Sequence, residues 1–407
     1  MIWLRLAASN VFANRRRSII ALGSIALATI ALILYAGYIN QVREGLKLSF
    51  IHAQGTGHLQ ISGKGGFGDF AETPLQFGLT PAQRNAIETL ADKTPEVRRL
   101  VPRLSFGGMV SSGPRTLAFG GSAIDPTLEK QAFGMGGAVK AGKALDRRQP
   151  ADSVILGAEM ARQLGVKPGD YVTVMTPTVF GALNAMDMTV VGVRETGNTQ
   201  GDLFYLQAKL DTVQRLLTTD KISTLAILLD DDADVDAVEK RLLTAAPGID
   251  ARTWLQLQPI YTQIMGMYET QFRVFGTLIL IVTLMGVAVL ILTSVMERAK
   301  EIGVMRSLGI ARGQVRSTFV YEGLTLCVFG LIAGTAVGAL ISFAINKMHL
   351  TVPPPPGSNR GYPLNLLWDW AAAGEIWLIV LVLGVIASWM TSGRIARMKV
   401  VQALGAL

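Results

Sequence analysis

Few side chains in this sequence are arranged for chemistry. His52, His58 and His349 stand isolated, without the spacing that lets imidazoles share a metal. No Ser/His/Asp or Cys/His grouping carries a nucleophile signature. The single cysteine, Cys327, falls in an apolar run, where packing outweighs reactivity. Asp230, Asp231, Asp232, Asp234 and Asp236 resemble a cation loop, yet the spaced glycine and closing glutamate of a calcium site are missing. Carboxylates are favoured at the positive end of a helix dipole, so the cluster reads as a solvated loop entering a helix. No G-x-x-x-x-G-K-[ST] occurs, so any use of ATP needs another subunit. The sequence predicts neither a catalytic residue nor a metal site.

What remains is a short charged bridge, residues 297–309, reading ERAKEIGVMRSLG. It carries an apolar row at Ile302, Met305 and Leu308 or Gly309, and the glycine suits a helix C-terminus. Its spacing fits a short surface helix pushed by a soluble partner. It fits an ordinary charged loop between two spans equally well.

The bridge needs a frame, and composition says which kind. Half of the 407 residues are hydrophobic and the mean hydropathy is positive, too apolar for an ordinary soluble protein. Four stretches, 18–40, 271–296, 317–345 and 371–392, come near the roughly 20 residues that cross about 30 Å of hydrocarbon. The net charge of +8 does not point to nucleic acid, because Lys and Arg gather beside these stretches. Arg15, Arg16 and Arg17 precede the first, Arg298, Lys300, Arg306, Arg312 and Arg316 separate the second and third, and Arg394, Arg397 and Lys399 follow the fourth. By the positive-inside rule both termini and the bridge are cytoplasmic. The order is then a cytoplasmic amphipathic segment 1–17, the first span, an extracytoplasmic domain 41–270 and the second span. A cytoplasmic loop 297–316, the third span, an outer loop 346–370, the fourth span and a tail 393–407 complete it. The first apolar core is too long for a cleaved signal peptide, so it reads as a retained anchor.

The fold class expected is an α-helical membrane protein with four spans and a large α+β domain between the first two. That domain has no cysteine, must be held by its own core, and is long enough for two subdomains. Strands are expected at 58–61, 99–110, 115–124, 153–156, 171–175, 188–194, 223–229 and 251–255. Helices are expected at 80–93, 158–164, 210–217 and 235–245, and from about residue 258 one long helix runs into the second span. Thr80-Pro81 is a helix start, with Thr as N-cap. The glycine-rich stretches 63–78 and 134–142 read as loops.

The stretch from Glu297 to Glu322 resembles the signature of MacB/FtsX-type ABC transporter permeases, Glu-Arg-x-x-Glu-Ile-Gly-x-x-Arg-x-Leu-Gly followed by a third span with an early glutamate. Residues 156–170 and 190–197 resemble the outer domain of that family, and the layout agrees over essentially the whole chain. The tail departs from it, with Val400 where proline is common. The resemblance implies that the bridge is a coupling helix seated in a separate ATPase. Ile302, Met305 and Leu308 would make its apolar contacts, and Glu297, Arg298, Glu301 and Arg306 its charged ones. The chain itself would hold no cofactor, with ATP and magnesium bound by two copies of the ATPase. A second permease chain, identical or paralogous, would pair through the first and second spans. The site would be a bacterial inner membrane, and the mode of work mechanotransmission.

With Gly121-Ser122-Ala123-Ile124-Asp125-Pro126 after Pro102-Arg103, its chain length and a separate ATPase, the chain resembles, within the family, the lipoprotein-releasing branch of LolC and LolE. A lipid-bearing substrate implies an apolar cavity at the outer ends of spans one and two. Leu32, Ile33, Tyr35, Tyr38, Ile39, Ile264, Met265, Met267, Tyr268 and Phe272 are placed to line it, or else to pack a dimer seam. A periplasmic lipoprotein carrier or adaptor would be a further partner, besides membrane lipids. The alternatives are MacB-like export of a peptide, antibiotic or haem, and FtsX-like signalling to a hydrolase. Glu322 is expected to pair with Arg316 or Arg298. Gly330, Gly334 and Gly338 form a small-residue face expected to pack on the second or fourth span. The prolines at 353–356, with Trp368 and Trp370 behind them, mark an outer interface.

Overall fold

The computed structural model describes residues 15–67, 77–134, 138–195, 197–230, 233–246, 248–298, 302–304, 307–352 and 362–395. The expected amphipathic segment before Arg15, the tail after Ile395 and the proline loop lie outside them. The chain divides into two compact units. One comprises Met1–Glu44, Ile264–Thr351 and Pro363–Leu407, the other Gly45–Gln263 and Val352–Tyr362.

The second unit is built on one sheet of ten strands. They are β1 (Leu59–Gly63), β2 (Val97–Ser111), β3 (Thr116–Ile124), β4 (Ala138–Gly142), β5 (Ser153–Gly157), β6 (Tyr171–Pro177), β7 (Leu183–Glu195), β8 (Tyr205–Lys209), β9 (Thr224–Leu229) and β10 (Ile249–Thr253). The order is β10-β1-β9-β2-β3-β8-β5-β7-β4, with β6 bridging β2 and β7. Because β6 pairs both partners, strands 2, 3, 8, 5, 7 and 6 form a closed ring, which removes their free edges. Every residue of β5 is buried, as expected where parallel β7 and antiparallel β8 flank it. β6 instead alternates buried and exposed residues, the mark of a strand with one wet face. The core inside the ring includes Leu104, Phe106, Val154, Leu156, Met188 and Leu206. Leu206 is fully buried, so Leu206→Ala should cost this unit about 2–5 kcal/mol. Hydrogen exchange at β5 and β8 amides in the full chain would measure it.

Most expected elements appear, with the Thr80–Gln83 capping box in place at the helix Pro81–Ala91. Three expectations are corrected. The two subdomains are one continuous sheet. The 134–142 stretch contains strand β4, which pairs along β7 and supplies the hydrogen bonds that its glycine-rich sequence does not advertise. The strand expected at 251–255 ends at Thr253, whose side chain accepts from Gln256 N–H at 3.4 Å and opens the short helix Trp254–Leu257. The helices Pro126–Phe133 and Thr199–Phe204 and strand β8 went unread. The first had a signal in Asp125-Pro126, where Asp125 accepts from the N–H groups of Thr127 and Leu128 at 2.8 and 3.1 Å.

Among the described residues, the other unit holds four helices long and apolar enough to cross a membrane: α1 (Arg15–Leu48), α2 (Pro259–Glu297), α3 (Arg312–Lys347) and α4 (Trp370–Ile395). The glycine face of α3 meets α1, not α2 or α4 as expected. A Cβ on Gly330 would lie 2.6 Å from Ile25, and one on Gly334 2.7 Å from the Ala26 carbonyl. Backbones this close gain dispersion contacts that lipid does not offer. The second and fourth spans are met by Gly323 instead, whose Cβ would reach Ser388 Oγ at 2.0 Å and Ile291 at 3.2 Å. The Ser294 hydroxyl of α2 donates toward the Glu322 carboxylate at 3.3 Å. Arg316 turns to α4, stacking 3.8 Å over the Trp389 ring and donating to the Trp389 carbonyl at 2.7 Å. A guanidinium near a membrane boundary gains from an aromatic face.

Candidate functional site

The bridge begins where α2 ends at Glu297. Its described residues 302–304 are helical, with Ile302 N–H donating to Arg298 O at 2.9 Å, and Leu308 N–H donates to Val304 O at 3.1 Å. Gly309, at φ +89°, ends it before α3. The apolar row splits into two faces. Ile302 is buried with Val315 and Phe319 in the chain's own span cluster, whereas Leu308 is 78% exposed and Val304 51% exposed. Ile302 thus joins the bridge to the chain's own spans. Glu301, Met305 and Arg306 lie outside the described residues.

The residues expected to line an outer-leaflet cavity pack against one another along α1 and α2. Tyr35 stacks on Phe272 with ring centroids 5.6 Å apart, and Tyr38 meets Tyr268 edge-on at 5.9 Å. Tyr35 Oη lies 3.4 Å from Gln271 Oε1. Leu32, Ile33, Ile39 and Met265 are buried and Ile264 is half-buried. Met267 is 51% exposed and faces out of this seam. A cavity of about 1650 Å³ lies elsewhere, in the sheet unit between the β2–β3 surface and the β6–β7 turn, and none of these residues borders it.

Sequence reasoning missed how the two span connections meet in the sheet unit. The strand that follows α1 is β1, and the strand that precedes α2 is β10. The two are antiparallel neighbours, with Leu59 opposite Thr253 and Gly63 opposite Ile249. The junction is pinned where Trp254 N–H donates to His58 O at 3.0 Å. His58 is buried, and its Nδ1 accepts from Leu229 N–H at 3.1 Å, so the imidazole ties this corner to β9. No local pattern announces a pairing across nearly two hundred residues. In the aspartate cluster, Asp230 pairs with Arg98 and Asp234 accepts from Ala237 N–H at 3.1 Å, capping the helix Val235–Ala245.

Comparison with known proteins adds to this geometry. Residues 18–245 match the MacB-like periplasmic core domain, and residues 273–400 match the FtsX-like permease C-terminal domain. The lipoprotein-releasing system transmembrane protein LolC of Neisseria meningitidis is 26% identical over 55% of this chain and 56% of its own length. The macrolide export ATP-binding/permease protein MacB of Salmonella paratyphi A is 25% identical over 99% of this chain and 60% of its own. The transmembrane protein LolE of Haemophilus influenzae is 20% identical over 78% of this chain and 80% of its own. The chain thus spans 56 to 60% of the length of the first two relatives. The crystal structure of the periplasmic region of MacB from Actinobacillus actinomycetemcomitans aligns with 50% of this chain and 91% of its own, at 17% identity and a TM-score of 0.37.

Proposed function

Since this chain belongs to the FtsX-like permeases with a MacB-like periplasmic core domain, the ABC transporter permeases of the MacB/LolCE type, we propose that it works by transmitting force rather than by opening an aqueous channel. Its cargo is a lipoprotein or another amphiphile, taken from the outer leaflet of a bacterial inner membrane. Both termini and the bridge face the cytoplasm, in keeping with the clusters of Arg and Lys. A separate ATPase, in two copies carrying ATP and magnesium, grips the bridge through Val304, Leu308 and its charged side chains.

The observation that carries this reading is the shared root of the two spans. Because β1 and β10 are paired and Trp254 is bonded to His58, a pull on either connection loads the same ladder. A second permease chain completes the unit. The exposed stripe Val274, Leu278, Ile281, Met285, Val289 and Leu292 on α2 recurs at intervals of three and four, the period of a helix-pairing face. The alignment with MacB over 99% of the chain favours a second reading, export of a macrolide-like or peptide cargo toward a periplasmic adaptor.

A photocrosslinker at Met267 separates these. With an amphiphile cargo it captures acylated protein, and ATP releases the adduct. Each CH₂ taken from lipid must be repaid at about 0.8 kcal/mol, so only a dry, apolar wall can hold the acyl chain. Met267→Asp should then lower cargo occupancy far more than it lowers folding, because the position is exposed. Crosslinks to the second permease alone, with transport unaffected by the aspartate, would return Met267 and its neighbours to a dimer seam. Capture of an unacylated peptide would favour export.

A further inference from the structure

Between α1 and β1 the chain leaves regular structure. Ser49–Ala53 form a turn of π-helix, and Gly55 and Gly57 follow, both at φ +70°. Such a junction is the softest link between a span and a sheet unless something stiffens it. Its own bonds are few: Gln54 N–H to Ser49 O at 2.9 Å, Thr56 N–H to Phe50 O at 3.2 Å and Gly57 N–H to Ile51 O at 3.1 Å. Ile51 anchors it from beneath, buried with Val101, Phe133, Ala226 and Leu228 on the outer face of β2 and β9.

Two arginines close over it. Arg103 of β2 donates from Nη2 and Nε to the two carboxylate oxygens of Glu129 at 2.6 and 3.3 Å. The side chains of this pair are only 14% and 16% exposed. The Arg103 guanidinium stands 5.1 Å above the Phe133 ring, and a Cβ on Gly55 would lie 2.0 Å from its Nη2. Gly55 therefore has no side chain where the guanidinium passes. From β7, Arg194 reaches the Ala53 carbonyl at 3.4 Å and donates to the Tyr205 hydroxyl. Burial raises the Tyr205 pKa, so the phenol stays neutral beneath the guanidinium.

We propose that Arg103, held in a two-pronged grip by Glu129, is a positioning residue that clamps the exit of the first span onto β2. A load on α1 then moves the sheet instead of unwinding residues 49–57. The proposal rests on the force-transmission reading above. A buried ion pair is a poor source of net stability, since its desolvation offsets its attraction. What a bidentate pair supplies is fixed direction, which a clamp requires and a simple packing residue does not.

Hydrogen exchange on the full chain in nanodiscs, with its ATPase bound, tests this. Without nucleotide, R103Q and E129Q should each speed exchange at Thr56 and Gly57 by about tenfold, the scale of a lost hydrogen bond to a charged group. The double variant should add little, because either change releases the same pair, and the swap R103E/E129R should not restore protection, because it takes the guanidinium away from Gly55. Amides of β5 and β8 report whether the sheet stays folded, and if R103Q loosens them E129Q decides. With ATP, the wild type should change exchange in β2 and β9, whereas R103Q should hydrolyse ATP and leave those strands unchanged. Unaltered exchange at 56–57, or an undiminished ATP response in folded R103Q and E129Q, overturns the clamp. If the wild type shows no ATP response in the sheet, the force-transmission reading falls, and the nucleotide-free arm alone decides the clamp.

Discussion

Gly334→Val should separate the first and third spans. The new Cβ would sit 2.7 Å from the Ala26 carbonyl and 2.7 Å from Thr29 Cβ, and the neighbour in the way is backbone, which cannot rotate aside. Overpacking of this kind costs about 1–3 kcal/mol in soluble cores. In lipid the helices can relieve it by moving apart, since apolar solvation offers no penalty for separation. The expected result is a sharp loss of thermal stability in detergent, together with loss of a disulfide crosslink engineered between α1 and α3. Gly374→Ala is the control, because nothing lies within 4 Å of the added atom. Equal melting of the two variants would mean that the glycine face does not hold the spans together.

Leu308→Glu should uncouple the protein from its ATPase without disturbing its insertion. Leu308 is 78% exposed, so the chain itself loses almost nothing when the side chain changes. A partner that buries it loses about 1.5–3 kcal/mol of apolar contact and must also desolvate a carboxylate. Binding should weaken by more than about tenfold, and transport should fall with it. Exchanging the character of Glu301 and Met305 should act in the same direction. Ile302→Ser makes the contrast. Ile302 is 7% exposed within the span cluster, so its loss should destabilise the permease and leave the affinity of the remaining folded molecules nearly unchanged. Co-purification of the ATPase, with turnover in nanodiscs, reads both. Wild-type affinity and turnover in Leu308→Glu would remove the bridge as the ATPase contact.

The difference between Leu308 and Ile302 also marks the limit of sequence reading. Spacing placed both on one apolar row, because periodicity reports which residues share a helix face and not how far the neighbouring helices reach around it. The aromatic residues near the outer ends of the first two spans behave the same way. Spacing puts Tyr35, Tyr38, Tyr268 and Phe272 near the ends of two apolar stretches. Only the fold turned them toward one another in a packed seam while leaving Met267 outside.

The sequence alone determined what depends on local physics: four apolar lengths matched to a bilayer, the helix that Thr80-Pro81 opens, and the charged bridge between the second and third spans. Tertiary structure alone decided what depends on long-range pairing. The β1–β10 ladder, the closure of the ring by β6, the glycine face of α3 on α1, and Arg103 over Gly55 all join residues far apart in the chain. Such contacts leave no period in the sequence, because each is set by which surfaces remain to be buried once the local elements have formed.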